Sequence, residues 1–267
     1  MVTAPLLGSP RISIVIPCYN GERYLAATLE TVQAQSFENW ELIVVDDCST
    51  DGSRELVQRF VDQDPRIQLL ALSKNYGGPA GPRNRGVEIA RGEWISFLDA
   101  DDLWHPLKLE HQLAAMEKTG GVLSATRMQN FTDTSSIVVS KELDRTLDTV
   151  TFSQQRLRSR IPASSVFVRR EICLEFSFNE DPSYKAVEDY NCWLHMLNAG
   201  HVCHKLNGIY LHYRIVAGQI SGSKRKQVMR VHHVHSHFPG NSQLGALFYT
   251  FSHISGAIYS RLLKGQM

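Results

Sequence analysis

Residues 94–102 read WISFLDADD, an apolar run followed directly by three aspartates at positions 99, 101 and 102. The apolar residues predict a buried strand over 94–98, so the acids follow its carboxyl end. Three carboxylates this close repel one another, and burying them without a partner costs solvation free energy. Two interpretations remain open on the stretch alone. It is either a site for a hard divalent cation such as Mg²⁺ or Mn²⁺, or an acidic turn that caps the next helix.

Outward from this strand, short apolar runs alternate with amphipathic stretches. The apolar runs predict strands at residues 11–17, 40–45, 67–72 and 94–98. Apolar residues three and four positions apart predict helices between them, as at Leu25, Leu29 and Val32. This order predicts an α/β fold with a doubly wound, mostly parallel sheet and helices on both faces. Ligands bind outside the carboxyl ends of such strands, where the acids at 46–47 also fall, and this favours the cation site.

The second half of the chain gives weaker periodic signals. The predicted elements are a helix around 109–116, a strand at 122–126, a hairpin through 137–139 within a polar loop spanning 127–160, a strand at 163–168, a helix at 188–199 and a strand at 209–214. A C-terminal helical extension follows. It combines four lysine and arginine residues within 224–230, a histidine tract at 232–237 and an amphipathic helix over 244–262.

Composition excludes several classes of protein. The 267 residues carry a net charge of +1, which gives no general attraction to nucleic acid, so we expect no nucleic-acid partner. The five cysteines form no C-x-x-C pair, which argues against a disulfide framework and fits a reducing compartment. Residues 1–10 lack the pattern of a signal peptide, and no run of about 18 apolar residues occurs. We therefore expect a cytoplasmic protein.

Five segments in order carry a family resemblance: IVIPCYN at 14–20, VVDDCSTDGS at 44–53, RNRG at 83–86, FLDADD at 97–102 and VEDY at 187–190. Together they resemble family 2 glycosyltransferases with the GT-A fold, over roughly residues 11–215. The resemblance implies a tail at 1–10, a nucleotide-sugar-binding half at 11–102, an acceptor-side half of the same domain at 103–222, and the helical extension at 223–267.

The resemblance also implies how the donor, a nucleotide-diphosphate sugar with UDP-sugar favoured, is held. The residues that match donor-binding positions are Pro17, Tyr19 and Asp47 for the nucleoside, Arg83 for a phosphate or uracil oxygen, and Asp99 for the ribose or for the metal through water. Asp101 matches the metal ligand of the D-x-D motif, with Mn²⁺ or Mg²⁺ as cofactor. The residues alone favour a packed loop aromatic for Tyr19 and a helix cap for Asp47. Asp102 is equally an assisting acid or a cap of the following helix.

The base that takes the acceptor's proton is expected at Asp189, which matches the family's E-D pair at the start of a helix. A helix amino terminus favours the carboxylate, so a lowered pKa is expected there. Glu188 would orient the acceptor or a loop. Members of this family invert the anomeric centre. The Q-x-x-R-W signature of processive members is absent, which implies one sugar per encounter. Arg214, in the matching region, is either a pyrophosphate contact or a surface arginine.

Other interpretations stay open at this point. A nucleotidyltransferase shares the sheet and the acids, but Pro17-Cys18-Tyr19-Asn20 supplies no lysine and no glycine-rich loop. A catalytically silent nucleotide-sugar-binding or scaffold module is the alternative outside the enzymes. The acceptor is expected to be a glycan or glycolipid, such as a lipid-linked or cell-surface polysaccharide precursor. Residues 224–267 either pack on the domain or make a peripheral contact with the inner face of the membrane. The histidine tract is expected to be a polar helix face.

Overall fold

A computed structural model describes residues 9–140, 142–216 and 224–264, with the side chains of the last segment described over 225–255. These residues do not include most of the predicted tail at 1–10 or the predicted boundary between 222 and 223. The described side chains do not include Ile258 and Leu262, which belong to the predicted amphipathic helix over 244–262.

The strands of the described residues are β1 (Ile12–Cys18), β2 (Trp40–Asp46), β3 (Ile67–Ala71), β4 (Trp94–Phe97), β5 (Leu103–Trp104), β6 (Leu123–Phe131), β7 (Leu147–Val150), β8 (Phe167–Arg169) and β9 (Cys203–Arg214). They form one nine-stranded sheet in the order β3-β2-β1-β4-β8-β6-β9-β5, with β7 also paired to β9.

The helices are α1 (Glu22–Gln33), α2 (Ser53–Gln63), α3 (Ala80–Ile89), α4 (Lys108–Thr119), α5 (Phe152–Leu157), α6 (Arg170–Glu175), α7 (Glu188–Asn198), α8 (Lys224–His237) and α9 (Gln243–Lys264). The predicted face of α1 is buried, because Leu25, Leu29 and Val32 pack on the core beneath β1 and β2.

The first four strands form the predicted parallel sheet, since β1 pairs in parallel with both β2 and β4, and β2 with β3. Helix α3 lies unusually close to this sheet. A Cβ added at Gly86 would stand 2.4 Å from Val15 Cγ1, so glycine is required where α3 crosses β1. This close approach matters because α3 also carries Arg83.

The second half of the sheet is mixed rather than wholly parallel. Strand β8 is antiparallel to both β4 and β6, while β6 is parallel to β9. The predicted strand at 163–168 is wrong at its start: Ala163–Ser165 is a 3-10 helix, and only Phe167–Arg169 is extended. The predicted hairpin through 137–139 is also wrong, because the extended segment lies later, at β7, where it pairs with β9.

Helices α8 and α9 pack on the domain with one side each. Val231 and Val234 of α8, and Phe238 directly after it, form a small core with Tyr190 and Leu194 of α7. His235 is fully buried in this contact, so the expectation of a wholly polar histidine face is wrong at that position. Within the residues that the structure describes, no helix combines the length and the hydropathy needed to cross a bilayer.

One face of α9 points away from the domain. Ala246 and Thr250 are buried against the domain, while apolar side chains at helical spacing are exposed by 79%, 57%, 60% and 69%, at Leu244, Leu247, Phe248 and Phe251. We call these four residues the apolar stripe. The packing expected for this helix is therefore found on one face of the described part of α9, and the apolar stripe lies on the other face.

Candidate active site

An open cleft of about 2030 Å³ lies at the carboxyl ends of β1, β2 and β4. Eight of the nine residues that the sequence assigns to the site line it: Pro17, Tyr19, Asp47, Arg83, Asp99, Asp101, Glu188 and Asp189. They come from strand ends, from α3 and from the start of α7, which are far apart in the chain. The fold therefore gathers these side chains into one place.

The end of the cleft at β1 and β2 carries Tyr19 and Asp47. The Tyr19 side chain is 55% exposed, so it is available to a ligand and is not a packed loop aromatic. Asp47 is buried and its Oδ1 accepts a hydrogen bond from the Tyr76 backbone N–H at 2.8 Å. Burial raises the pKa of Asp47, against the lowering effect of the backbone N–H groups of Tyr76 and Gly77. The helix-cap alternative for Asp47 is wrong, because α2 begins after Gly52.

At the centre of the cleft, Arg83 joins the two acidic motifs. Its Nη2 donates to Asp99 Oδ1 at 2.7 Å and its Nη1 donates to Glu188 Oε1 at 2.8 Å. The Arg83 and Glu188 side chains are 3% and 4% exposed, while that of Asp99 is 32% exposed toward the cleft. The cation that the acids require is thus in part this guanidinium, which neutralises one carboxylate from each motif.

The remaining acids of the DADD run have different surroundings. Asp101 lines the cleft. Asp102 is fully buried, and its Oδ1 accepts from the Arg214 backbone N–H at 2.9 Å. Burial and the charges of Asp99 and Asp101 raise the pKa of Asp102 well above its ordinary value. Its assignment as a helix cap is wrong, because α4 begins at Lys108 and the residues after Asp102 form β5.

Arg214 is 5% exposed, which excludes the surface-arginine alternative. Its Nε donates to the Asp101 carbonyl oxygen at 2.8 Å, and its guanidinium carbon lies 4.5 Å and 4.4 Å from the ring centres of Tyr24 and Phe131. The structure therefore places Arg214 behind the aspartate loop, where its contacts with Asp101 and Asp102 hold the loop in shape.

Asp189 stands at the start of α7, half-buried at the cleft wall. Burial and the neighbouring Glu188 carboxylate raise the pKa of Asp189 to about 7, against the lowering effect of Arg83. The expected lowering by the helix amino terminus is therefore outweighed, because desolvation favours the neutral acid. A carboxylate with a pKa near neutrality is a stronger base than an ordinary one and still ionises at physiological pH.

The turn that delivers Asp189 has a strained backbone. Ala186 has a φ of 67°, a left-handed conformation that is unfavourable for alanine. Gln227 of α8 supports this turn, because its Nε2 donates to the Ala186 carbonyl oxygen at 3.3 Å. The Tyr190 hydroxyl also lies 3.0 Å from His235 Nε2 and 2.9 Å from His253 Nε2. The start of α7 is thus held from α8 and α9.

Several cleft residues escape prediction from the sequence. Ser164 Oγ accepts from the Asp99 backbone N–H at 3.1 Å, and Lys185 lies close enough to Asp47 to lower its pKa. Basic side chains line the far end of the cleft, at Arg127, Arg158, Arg160 and Lys205. The only signal for them is the RSR string at 158–160 within a polar loop, which has no fixed structural meaning.

The donor atoms at the DADD run suit a hard cation that brings other ligands with it. Among the described residues, no three His, Cys, Asp or Glu side chains come together in an arrangement suited to a metal ion. Asp101 faces the cleft, and Asp99 has one carboxylate oxygen on Arg83. Mg²⁺ and Mn²⁺ take one or two carboxylates and complete their shells with phosphate oxygens and water. These residues therefore fit such an ion bound together with a diphosphate.

Comparison with solved structures identifies the fold. Staphylococcus aureus TarS, residues 1–349 in complex with UDP-GlcNAc, superposes with a TM-score of 0.71 at 20% identity, over 95% of this chain and 74% of that one. The mannosyltransferase PcManGT of Pyrobaculum calidifontis, in complex with GDP-Man and Mn²⁺, gives 0.63 at 17% identity, over 97% and 76%. The predicted GT-A fold is confirmed.

Sequence comparison identifies the family as well as the fold. WfgD of Escherichia coli, a UDP-Glc:alpha-D-GlcNAc-diphosphoundecaprenol beta-1,3-glucosyltransferase, is 32% identical over 251 residues, which is 91% of this chain and 92% of that protein. The family description "Glycosyl transferase family 2" matches residues 13–174, more than half of the chain. The resemblance carried by the five motifs is thereby confirmed, and the chain is a glycosyltransferase that belongs to glycosyl transferase family 2.

Proposed function

We propose that this glycosyltransferase moves one sugar from a nucleotide-diphosphate sugar, a UDP-sugar in preference, to a hydroxyl of a lipid-linked or cell-surface polysaccharide precursor, with inversion. One observation carries the proposal. Arg83 ties Asp99 of the D-x-D motif to Glu188 of the E-D pair, so that Asp101 and Asp189 face the same cleft. Donor and acceptor chemistry are thereby brought together.

The donor is held at the β1–β2 end in this proposal. Tyr19 flanks the base with its exposed ring, and Asp47 accepts a hydrogen bond from a ring N–H of the base, next to the strand end at Pro17. The diphosphate then extends toward Asp101. A divalent ion, Mn²⁺ or Mg²⁺, held by Asp101 with Asp99 nearby, would neutralise charge on the departing nucleoside diphosphate.

The transfer itself is a single displacement. The acceptor hydroxyl oxygen forms a bond to the anomeric carbon, while the bond from that carbon to the diphosphate oxygen breaks and the nucleoside diphosphate leaves with the electron pair. Asp189 takes the hydroxyl proton as the new bond forms. The raised pKa of Asp189 supports this role. The ion pair with Arg83 holds the negatively charged Glu188 carboxylate next to Asp189.

The place of reaction is proposed to be the cytoplasmic surface of a membrane. The apolar stripe of α9 is exposed, and Arg225, Lys226 and Arg230 of α8 supply positive charge to the same helical pair. A helix pair that combines an exposed apolar face with cationic side chains is typical of proteins that bind anionic lipid at the membrane interface. WfgD acts on a diphosphoundecaprenol-linked sugar, and an acceptor of this class resides in a membrane.

A transfer assay tests the proposed function. The full chain is incubated with a panel of UDP-sugars, Mn²⁺ and a synthetic GlcNAc-diphosphate-lipid, and the anomeric configuration of any product is read by NMR. We expect one sugar added, with inverted configuration, and far less product from Asp189→Asn in the same time. Addition of several sugars, or retention of configuration, would contradict the proposal.

A further inference from the structure

The far end of the cleft carries positive charge that the transfer step described above does not use. Four cationic side chains line it: Arg127 of β6, Lys205 of β9, and Arg158 and Arg160 of the loop after α5. We call them the basic cluster. Two acids of the described residues lie near Arg127: Asp148, whose Oδ2 is 3.8 Å from Arg127 Nη2, and Asp144, whose pKa is lowered chiefly by hydrogen bonds from Thr146 and in smaller part by the Arg127 charge.

The other guanidinium groups of the cluster lack acidic partners. Among the residues that the structure describes, no carboxylate pairs with Arg158 or Arg160. Lys205 is partly buried, its Nζ donates to the Arg160 carbonyl oxygen, and the nearby charges of Arg127 and Arg160 reinforce the effect of burial, which lowers the pKa of Lys205 to about 8. Cations held this close repel one another, so an anion bound between them would relieve the repulsion.

Strand register gives the position of the cluster relative to the D-x-D motif. Ile95 of β4 is opposite Val168 of β8, and Val168 is opposite Leu123 of β6. Asp99 follows the end of β4, and Arg127 stands four residues beyond Leu123 at an irregular step of β6, so both lie toward the same end of the sheet, separated by two strand spacings or ~10 Å. Lys205, in register with Ala125, lies one strand beyond Arg127. The cluster is therefore on the side opposite to the donor end at β1 and β2.

The cluster also adjoins the apolar stripe. The loop that carries Arg158 is fastened to α9, since Ser252 Oγ donates to the Leu157 carbonyl oxygen at 2.8 Å and His253 Nε2 lies 3.1 Å from the Arg156 carbonyl oxygen. Leu157 is 40% exposed beside these contacts, and Phe251 of the stripe precedes Ser252. An anion in the cluster that continued into a hydrocarbon chain would find apolar surface next to it.

We propose that the basic cluster binds the diphosphate of a lipid-linked acceptor, with the reacting sugar between it and Asp189 and the lipid leaving along α9. Guanidinium groups suit this ligand, because they pair with phosphate oxygens through parallel hydrogen bonds. The inference rests on the proposed function. It adds that the protein recognises the acceptor by its diphosphate.

A transfer assay with two acceptors separates this role from others. The acceptors carry the same sugar and the same alkyl chain, joined through a diphosphate in one and through a neutral glycosidic bond in the other. For the double variant Arg158→Gln/Arg160→Gln we expect the KM of the diphosphate acceptor to rise about tenfold or more. The KM of the neutral acceptor and of the donor should stay unchanged. Arg59→Gln, at an exposed arginine of α2, is the matched control.

Equal losses with both acceptors, or no loss with either, would overturn the inference. A wild-type chain that transfers to neither acceptor would contradict the proposed function instead, and a binding measurement then decides the inference alone. Geranyl diphosphate is titrated into the full chain saturated with UDP and Mn²⁺. Binding by the wild type that is lost in the double variant supports the cluster, whereas no binding, or equal binding, overturns it.

Vesicles distinguish the acceptor from the membrane as the source of phosphate. The double variant should float with phosphatidylglycerol vesicles as well as the wild type does. If it loses vesicle binding while it still binds geranyl diphosphate, the cluster serves the lipid surface and the inference is wrong.

Discussion

Arg83 Nη1 donates to Glu188 Oε1 at 2.8 Å, and this contact joins two motifs that lie 105 residues apart in the chain. Both side chains are almost wholly buried, and the second arm of the guanidinium holds Asp99. The pair therefore fixes the position of the start of α7, which carries Asp189, relative to Asp99.

Replacement of Arg83 by glutamine should destabilise the protein as well as inactivate it. The variant leaves the Glu188 carboxylate buried without its cation, which costs on the order of 3–5 kcal/mol in the free energy of unfolding. Urea unfolding measures this loss. Arg85→Gln is the control, because Arg85 pairs with Glu88 and Glu180 at a partly exposed site and should cost under about 1 kcal/mol. Equal losses in the two variants would contradict the bridging role.

Activity should follow the ionisation of Asp189. With its pKa at about 7, the base is protonated below neutrality, so kcat/KM should fall as the pH drops from 8 to 6. Asp189→Asn should lower kcat by roughly 10²–10⁴-fold and leave UDP binding intact. Steady-state rates across pH and a UDP titration test both points. A variant that keeps full activity removes Asp189 as the base.

The same shift predicts a change in stability with pH. Because the pKa of Asp189 is higher in the folded chain than in the unfolded chain, folding retains a proton between about pH 4 and 7, and stability falls as the pH rises through this window. Asp189→Asn removes this dependence. The difference in thermal midpoint, variant minus wild type, should therefore be more positive at pH 8 than at pH 5. Asp62→Asn, at an exposed carboxylate of α2, is the control and should show the same difference at both pH values.

Asp101→Ala should separate nucleotide binding from folding. We expect the thermal midpoint without ligand to change little, since Asp101 lies at the cleft, while the stabilisation by UDP that depends on Mn²⁺ is lost. Thermal-shift curves with UDP, with and without Mn²⁺, measure both quantities. If Asp101→Ala keeps the metal-dependent shift, the proposed ligand is wrong.

Polar replacements on the apolar stripe should weaken binding to lipid without harming the fold. Leu247→Ser/Phe251→Ser changes two side chains that are 57% and 69% exposed, so the packing of α9 is preserved. Flotation with anionic vesicles should recover less of this variant than of the wild type. Leu174→Ser, at an exposed leucine of α6 away from α9, is the control. Equal recovery of all three proteins would sink the membrane proposal.

The sequence predicted the parallel strands and the residues that gather at their ends, because apolar runs buried on both faces and the motifs after them are local signals. It could not predict the partners of Arg83, since the pairing of α3 with α7 depends on the close packing at Gly86. Asp102 shows the same limit. An acid before a helix looks like a cap, and only the tertiary contact with Arg214 reveals its buried role.

The support of the Asp189 turn by Gln227, and of Tyr190 by His235 and His253, has a consequence for the engineering of chimeras. The family match ends at residue 174, before Asp189 and before both supporting helices. A graft that exchanged only the matched region would separate the DADD run from Asp189 and from the helices that support its turn. Residues 175–264 are therefore best exchanged as a single cassette, which keeps Asp189 together with the residues that support it.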